Sequence, residues 1–160
     1  YGTILALYRG NEPLVGVIQL PALERCYWAG RGLGAFCNGR QLRISDSTAP
    51  LSEVIAVGDR SQFGRAGLTD QFDHLMRQHS WTRTYADCFG HTLAIEGAAG
   101  AMYDVDLKEW DISATRLLIT EAGGRFERLP GKSEDRWNVL FGKPGVVEWI
   151  LNELGEVRGS

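Results

Sequence analysis

Apolar and polar positions along the chain fall into two textures. Up to Ile44 short apolar runs are broken by turn residues, and from Leu51 onward strand-like runs alternate with helical periodicity. Residues 3–8 are apolar, Arg9-Gly10-Asn11-Glu12-Pro13 interrupts them, and residues 14–18 are apolar again. That pattern predicts a β-hairpin with a longer loop. Pro21 should end the second strand, because it has no N–H to give to a ladder. Residues 25–29 read as a further strand, followed by Gly30, Gly32 and Gly34. Asn38-Gly39 then supplies the pair of positive φ angles that a tight hairpin turn needs.

The second texture predicts strands at residues 54–57, 81–85, 101–103, 125–127 and 139–141. Between them lie a helix capped by Thr69 or Asp70, an alanine- and glycine-rich helix over 89–99, and the clearest helix over 112–122. Gly123-Gly124 should close that helix, and Pro144-Gly145 should open a last one over 146–154. The expected architecture is α/β, or layered α+β. A β-rich part over residues 1–50 precedes an α/β part over 51–160.

Composition narrows the function classes. The chain has 160 residues, 17 Lys plus Arg against 20 Asp plus Glu, and a net charge of -3. No basic field exists for nucleic acid or an anionic membrane, so neither is expected as a partner. No apolar run approaches the length that spans a bilayer, and the first residues lack the features of a signal peptide. With Cys26, Cys37 and Cys88 forming no C-x-x-C pair, a reducing, cytoplasmic setting is expected.

Several residues are candidates for chemistry. Asp111 follows Trp110 directly before the predicted helix, where a carboxylate either caps free N–H groups or holds a divalent cation beside the positive helix end. Asp104 and Asp106 follow the strand at 101–103, at a strand end where α/β folds collect ligands. Asp87 stands at the start of the next helix back, as an N-cap or a pocket residue. His74 and His79 are expected on the solvent side of a helix, and His91 as a hydrogen-bonded core residue. Gly30-Arg31-Gly32-Leu33-Gly34 lacks the following helix of a dinucleotide loop and is expected to be a sheet turn. There is no G-x-S-x-G nucleophile elbow.

Taken together, Trp110-Asp111, the helix of small residues after it, and Glu121-Ala122-Gly123-Gly124 resemble the C-terminal signature of the inositol monophosphatase family. The earlier stretch is similar too, through Leu14-Val15-Gly16-Val17-Ile18, Pro21, Gly34-Ala35 and Asn38-Gly39. Asp87-Cys88-Phe89-Gly90-His91 looks most like the histidinol-phosphatase branch. The resemblance implies a sugar-phosphatase-like fold and Mg²⁺-dependent hydrolysis of a small phosphomonoester. Histidinol phosphate is the first substrate expected and inositol phosphates or related sugar and nucleotide phosphates the second. It implies Asp111 as a metal ligand, with Asp87 and Asp104 as substrate-binding residues. Glu121 would serve structure at the end of its helix.

The family's Glu-Glu pair and Asp-Pro-x-Asp-Gly-Thr loop do not occur in this sequence, which therefore looks like the C-terminal part of a phosphatase. With no complete catalytic set, the chain is expected to bind Mg²⁺ weakly and to turn over little. It is also expected to form a homodimer through an uncovered face of its first sheet. The alternative from another class is a non-catalytic binding module on the same scaffold.

Overall fold

The first hairpin is tighter than its polar run predicts. Strands β1 (Thr3–Arg9) and β2 (Glu12–Leu20) meet across Gly10 and Asn11, with Gly10 at φ 61°. Pro13 stays inside β2 because the register shifts between Leu7 and Tyr8, placing the residue without an N–H beside a bulge. Pro21 does end β2, opening one turn of 3-10 helix, Pro21–Leu23. Strands β3 (Arg25–Gly30), β4 (Gly34–Cys37) and β5 (Arg40–Leu42) complete an antiparallel meander in the order β1-β2-β3-β4-β5. Asn38 and Gly39 take the left-handed conformations expected of them, at φ 48° and 81°.

The computed structural model describes residues 1–85 and 87–159. After the meander come β6 (Ile55–Val57), α1 (Arg60–Ala66), α2 (Thr69–Gln78), β7 (Thr82–Thr84) and α3 (Asp87–Ile95). They are followed by β8 (Ala101–Leu107), α4 (Glu109–Glu121), β9 (Arg125–Leu129), β10 (Trp137–Gly142) and α5 (Pro144–Gly159). The second sheet runs β7-β6-β8-β10-β9, with β6 parallel to β7 and β8, and β10 antiparallel to β8 and β9.

Two apolar clusters fix the layering. One joins Ile18, Tyr27 and Ala29 of the first sheet to Met102, Val139 and Phe141 of the second through α3 and α4. The other packs Val57, Tyr103 and Leu140 against α1, α2 and α5. The order is therefore sheet, helices, sheet, helices, the α/β layering that the sequence predicts. Helix α4 is buried on most sides, from Ile112 through Ile119 with Arg116 excepted, because both sheets cover it. Gly123 and Gly124 close it by donating their N–H groups to Thr120 and Ile119 carbonyls at 3.1 and 2.9 Å.

Four expectations change. Helix α4 begins at Glu109, so Asp111 lies within its first turn rather than at its cap. The predicted three-residue strand at 101–103 extends to Leu107, so Asp104 and Asp106 belong to a strand and not to a loop. His79 is buried beneath the ring of Trp149 with Nε2 on the Pro50 carbonyl, and His74 meets Glu153 of α5 at 2.9 Å. Helix α1 is new, held by a capping box in which Asp59 accepts from Ser61 N–H and Gln62 accepts from Asp59 N–H.

The far face of the first sheet carries Leu5, Leu7, Val15 and Trp28, all exposed, with Trp28 stacked on Phe36. No helix among the described residues is long and apolar enough to cross a membrane.

The first sheet and α4 touch most closely where Gly16 faces Ala114. A Cβ at Gly16 would lie 2.9 Å from the Ala114 Cα and 3.1 Å from its Cβ, too near for either to accommodate without movement. Gly16→Val should therefore lower stability by about 1–3 kcal/mol or more, read as a lower urea midpoint with an unchanged m-value.

Candidate active site

The strand and helix ends converge on one side of the molecule. There the start of α3, the end of β8 and the first turn of α4 enclose a cleft of roughly 1100 Å³, with Ile4, Leu20 and Leu23 forming its apolar side. Asp87, Asp106 and Asp111 all line it.

Asp111 occupies the third position of α4, and its Oδ2 accepts the Lys108 N–H at 3.0 Å. The carboxylate thus satisfies one orphan donor of the helix start and still borders the cleft, so capping and ligand binding do not exclude one another. Lys108 forms an ion pair with Asp135, whose carboxyl this amine holds down at about 2.

Asp106 owes its position to a bulge. The β8–β10 register slips between Trp137 and Val139, and Asp106 takes φ 59°, a conformation Asp tolerates better than most residues. Its Oδ2 accepts from Arg65 Nε at 3.2 Å, and its carbonyl accepts from Arg136 Nη1 at 2.9 Å. Both guanidinium groups line the cleft. Asp87, the first residue of α3, also lies in the left-handed region, at φ 53°. Next to it, burial and then the Asp87 charge push the Cys88 thiol above its ordinary value, so it stays protonated near neutrality. That leaves the cleft without a thiolate nucleophile from Cys88.

Asp104 sits elsewhere. It is 2% exposed and does not line the cleft. Its Oδ1 accepts the Val105 N–H at 2.9 Å, and its Oδ2 lies 3.3 Å from His91 Nε2. His91 Nδ1 in turn lies 3.0 Å from Thr115 Oγ1 on α4. His91 is the hydrogen-bonded core residue expected of it, and it also reaches the cleft wall. The connection after β6 presses on the same carboxylate: a Cβ at Gly58 would fall 2.4 Å from Asp104 Oδ1. Asp104 thus meets the cleft wall through its contact with His91.

The glycine-rich turn does not face the cleft. Its Gly32 and Gly34 N–H groups donate to the Glu121 carboxylate at 2.8 and 2.9 Å, an anion supplied from within the chain.

The sequence profile of the inositol monophosphatase family matches residues 1–154. The chain belongs to the inositol monophosphatase family.

Among family relatives, the histidinol-phosphatase of Mycobacterium tuberculosis is 35% identical over 136 residues, covering 82% of this chain and 52% of that protein. The fructose-1,6-bisphosphatase/inositol-1-monophosphatase of Aquifex aeolicus is 27% identical over 154 residues, covering 94% and 58%. The solved inositol monophosphatase from Zymomonas mobilis superposes with a TM-score of 0.85 at 21% identity, covering 96% of this chain and 62% of that one. The chain thus spans about half the length of the curated relatives it matches.

The metal that the family resemblance implies can be tested against the donors present. Mg²⁺ takes six oxygens at short, nearly octahedral distances. Among the described residues no group of three or more His, Cys, Asp or Glu side chains is placed to hold an ion. Asp111 offers one carboxylate, with one oxygen already accepting from the backbone. These residues by themselves do not fit a complete Mg²⁺ site.

Arg65, Arg136 and Phe89 were not among the residues singled out for the site, although all three line the cleft. Only the Asp59-Arg60-Ser61-Gln62 capping pattern could have announced the helix that carries Arg65.

The buried His91 bridge generates a direct expectation. Asp104→Ala removes the partner of His91 Nε2 and should cost about 1–3 kcal/mol, measured by chemical unfolding. Asp106→Ala, on the cleft surface, should cost less.

Proposed function

We propose that this chain is the substrate- and cation-facing half of a phosphomonoesterase, with histidinol phosphate as its first substrate. The observation that carries the reading is a pair of carboxylates, Asp87 and Asp111, on two different helix starts lining one cleft. A phosphate ester with a positively charged amine presents opposite charges at its two ends. Asp87 gives the amine a charge-assisted partner that a neutral polyol cannot use equally. The first turn of α4 offers a positive helix end on the phosphate side. The likeness to the mycobacterial histidinol-phosphatase supports the same choice.

In this reading Asp111 contributes one carboxylate to a divalent cation, and further oxygen ligands complete the site in the whole protein. Bound Mg²⁺ would supply charge neutralisation of the phosphate oxygens and a more acidic water. What this chain's residues do is narrower. Asp111 fixes one ligand at a helix start, Asp87 orients the amine, and Asp104 holds His91 against α4. Inositol 1-phosphate and related sugar phosphates are the second substrate class, supported by the Aquifex relative. The alternative from another class is a non-catalytic binding module on the same scaffold.

The deciding experiment is phosphate release from a panel of small monoesters by the product of the complete reading frame, with Mg²⁺ present. Histidinol phosphate should give the highest kcat/KM, and Asp111→Asn should lower it by roughly a hundredfold or more. Full turnover by that variant would remove the assignment. For the chain alone, calorimetric titration should show Mg²⁺ binding weaker than micromolar.

The homodimer belongs to the same reading, with Leu5, Leu7, Val15 and Trp28 as the face that pairs two copies. Light scattering at high concentration should give twice the chain mass, and Trp28→Lys with Leu7→Lys should restore the single mass.

A further inference from the structure

Helix α3 buries Cys88, Gly90, His91, Thr92, Ala94 and Ile95, yet Phe89 among them is 40% exposed. A large apolar ring left open on an otherwise covered helix needs a reason, since burying it would contribute to folding. Phe89 lies in the cleft wall, two positions from Asp87, and Tyr85 packs against it edge to face with ring centroids 5.9 Å apart. That contact braces the ring without covering its exposed part. Its carbonyl is tied down as well, accepting from Thr92 Oγ1 at 2.8 Å.

An aromatic face and a carboxylate lining one cleft suit a substrate that carries both a flat cationic ring and an ammonium. The ring quadrupole attracts the cationic ring, the stacked area removes apolar surface from water, and the carboxylate serves the ammonium. Imidazole is such a ring, since it is partly protonated near neutral pH. A polyol gains nothing comparable, because its hydroxyls point to all sides and would lose water against an apolar surface.

We propose that Phe89 is a specificity-determining residue, its exposed ring stacking on the planar cationic ring of the substrate while Asp87 meets the ammonium. This rests on the phosphomonoesterase reading and adds the part of the substrate that the cleft selects. It separates two contributions to recognition, one from the ammonium and phosphate ends and one from the ring.

The test uses three probes on the full chain by isothermal titration: histidinol phosphate, O-phosphoethanolamine, which keeps amine and phosphate but has no ring, and inositol 1-phosphate. Wild type should bind histidinol phosphate about tenfold more tightly than phosphoethanolamine, the effect of one partly desolvated ring contact. Phe89→Leu keeps an apolar side chain of similar reach and should reduce that preference to within about twofold, with phosphoethanolamine unchanged. Phe89→Trp keeps an aromatic face and should preserve the preference, which controls for disturbance of the helix.

If wild type favours histidinol phosphate and Phe89→Leu leaves the preference intact, or weakens both amines equally, the ring contact is overturned and the substrate reading stands. If wild type favours inositol 1-phosphate, or binds histidinol phosphate no better than phosphoethanolamine, the substrate reading fails and the ring contact with it.

Discussion

Helix α4 lies between two sheets, and its distance from the first is set by contact between Ala114 and the backbone of Gly16. Neither residue has bulk to spare. With the second sheet packed on the opposite side, the helix has almost no freedom to shift. Its first turn is therefore placed by the cores of both sheets rather than by the loop leading into it. Asp111, the residue on which the cation reading rests, inherits that fixed position.

The polar contacts of the interior follow the same logic. His91 connects β8 through Asp104 with α4 through Thr115, so three elements that border the cleft share one buried imidazole. A group so enclosed is costly to leave unpaired, and its partners hold it in one orientation. At the cleft surface the balance differs. Asp106 is engaged by two guanidinium groups, whereas Asp87 lines the same cleft with no ion pair among the described residues. Asp106 is thus internally neutralised, and Asp87 remains available to a cation.

Much of this was legible in the sequence because local chemistry decided it. Asn38-Gly39 dictates a hairpin turn, Pro21 ends a strand, and Gly123-Gly124 closes a helix whatever surrounds them. The family signature around Trp110-Asp111 and Glu121 identified the layering as well. Positions settled by distant partners were not legible. Asp104 interrupts an apolar pattern and reads as a loop residue, but His91, on another element, lets it sit in a central strand. Asp106 is in β8 only because a bulge gives it a left-handed backbone. Helix α1 was overlooked because Arg60–Ala66 buries only Phe63 and has almost no apolar periodicity. Its Asp59 and Gln62 cap were the available signal. Phe89 carries no signal of its role in the sequence, since periodicity cannot tell a covered ring from one facing a cleft.

The two ends of α4 have different duties: Asp111 borders the cleft, and Glu121 gathers the backbone amides of the turn between β3 and β4. A helix advances about 100° with each residue. Inserting or deleting a single residue between those carboxylates would swing one of them off its target while the other stayed in register. Drift in chain length should accordingly collect in the surface loop between β9 and β10, and the span of this helix should behave as a ruler that tolerates exchange of side chains but no change in count.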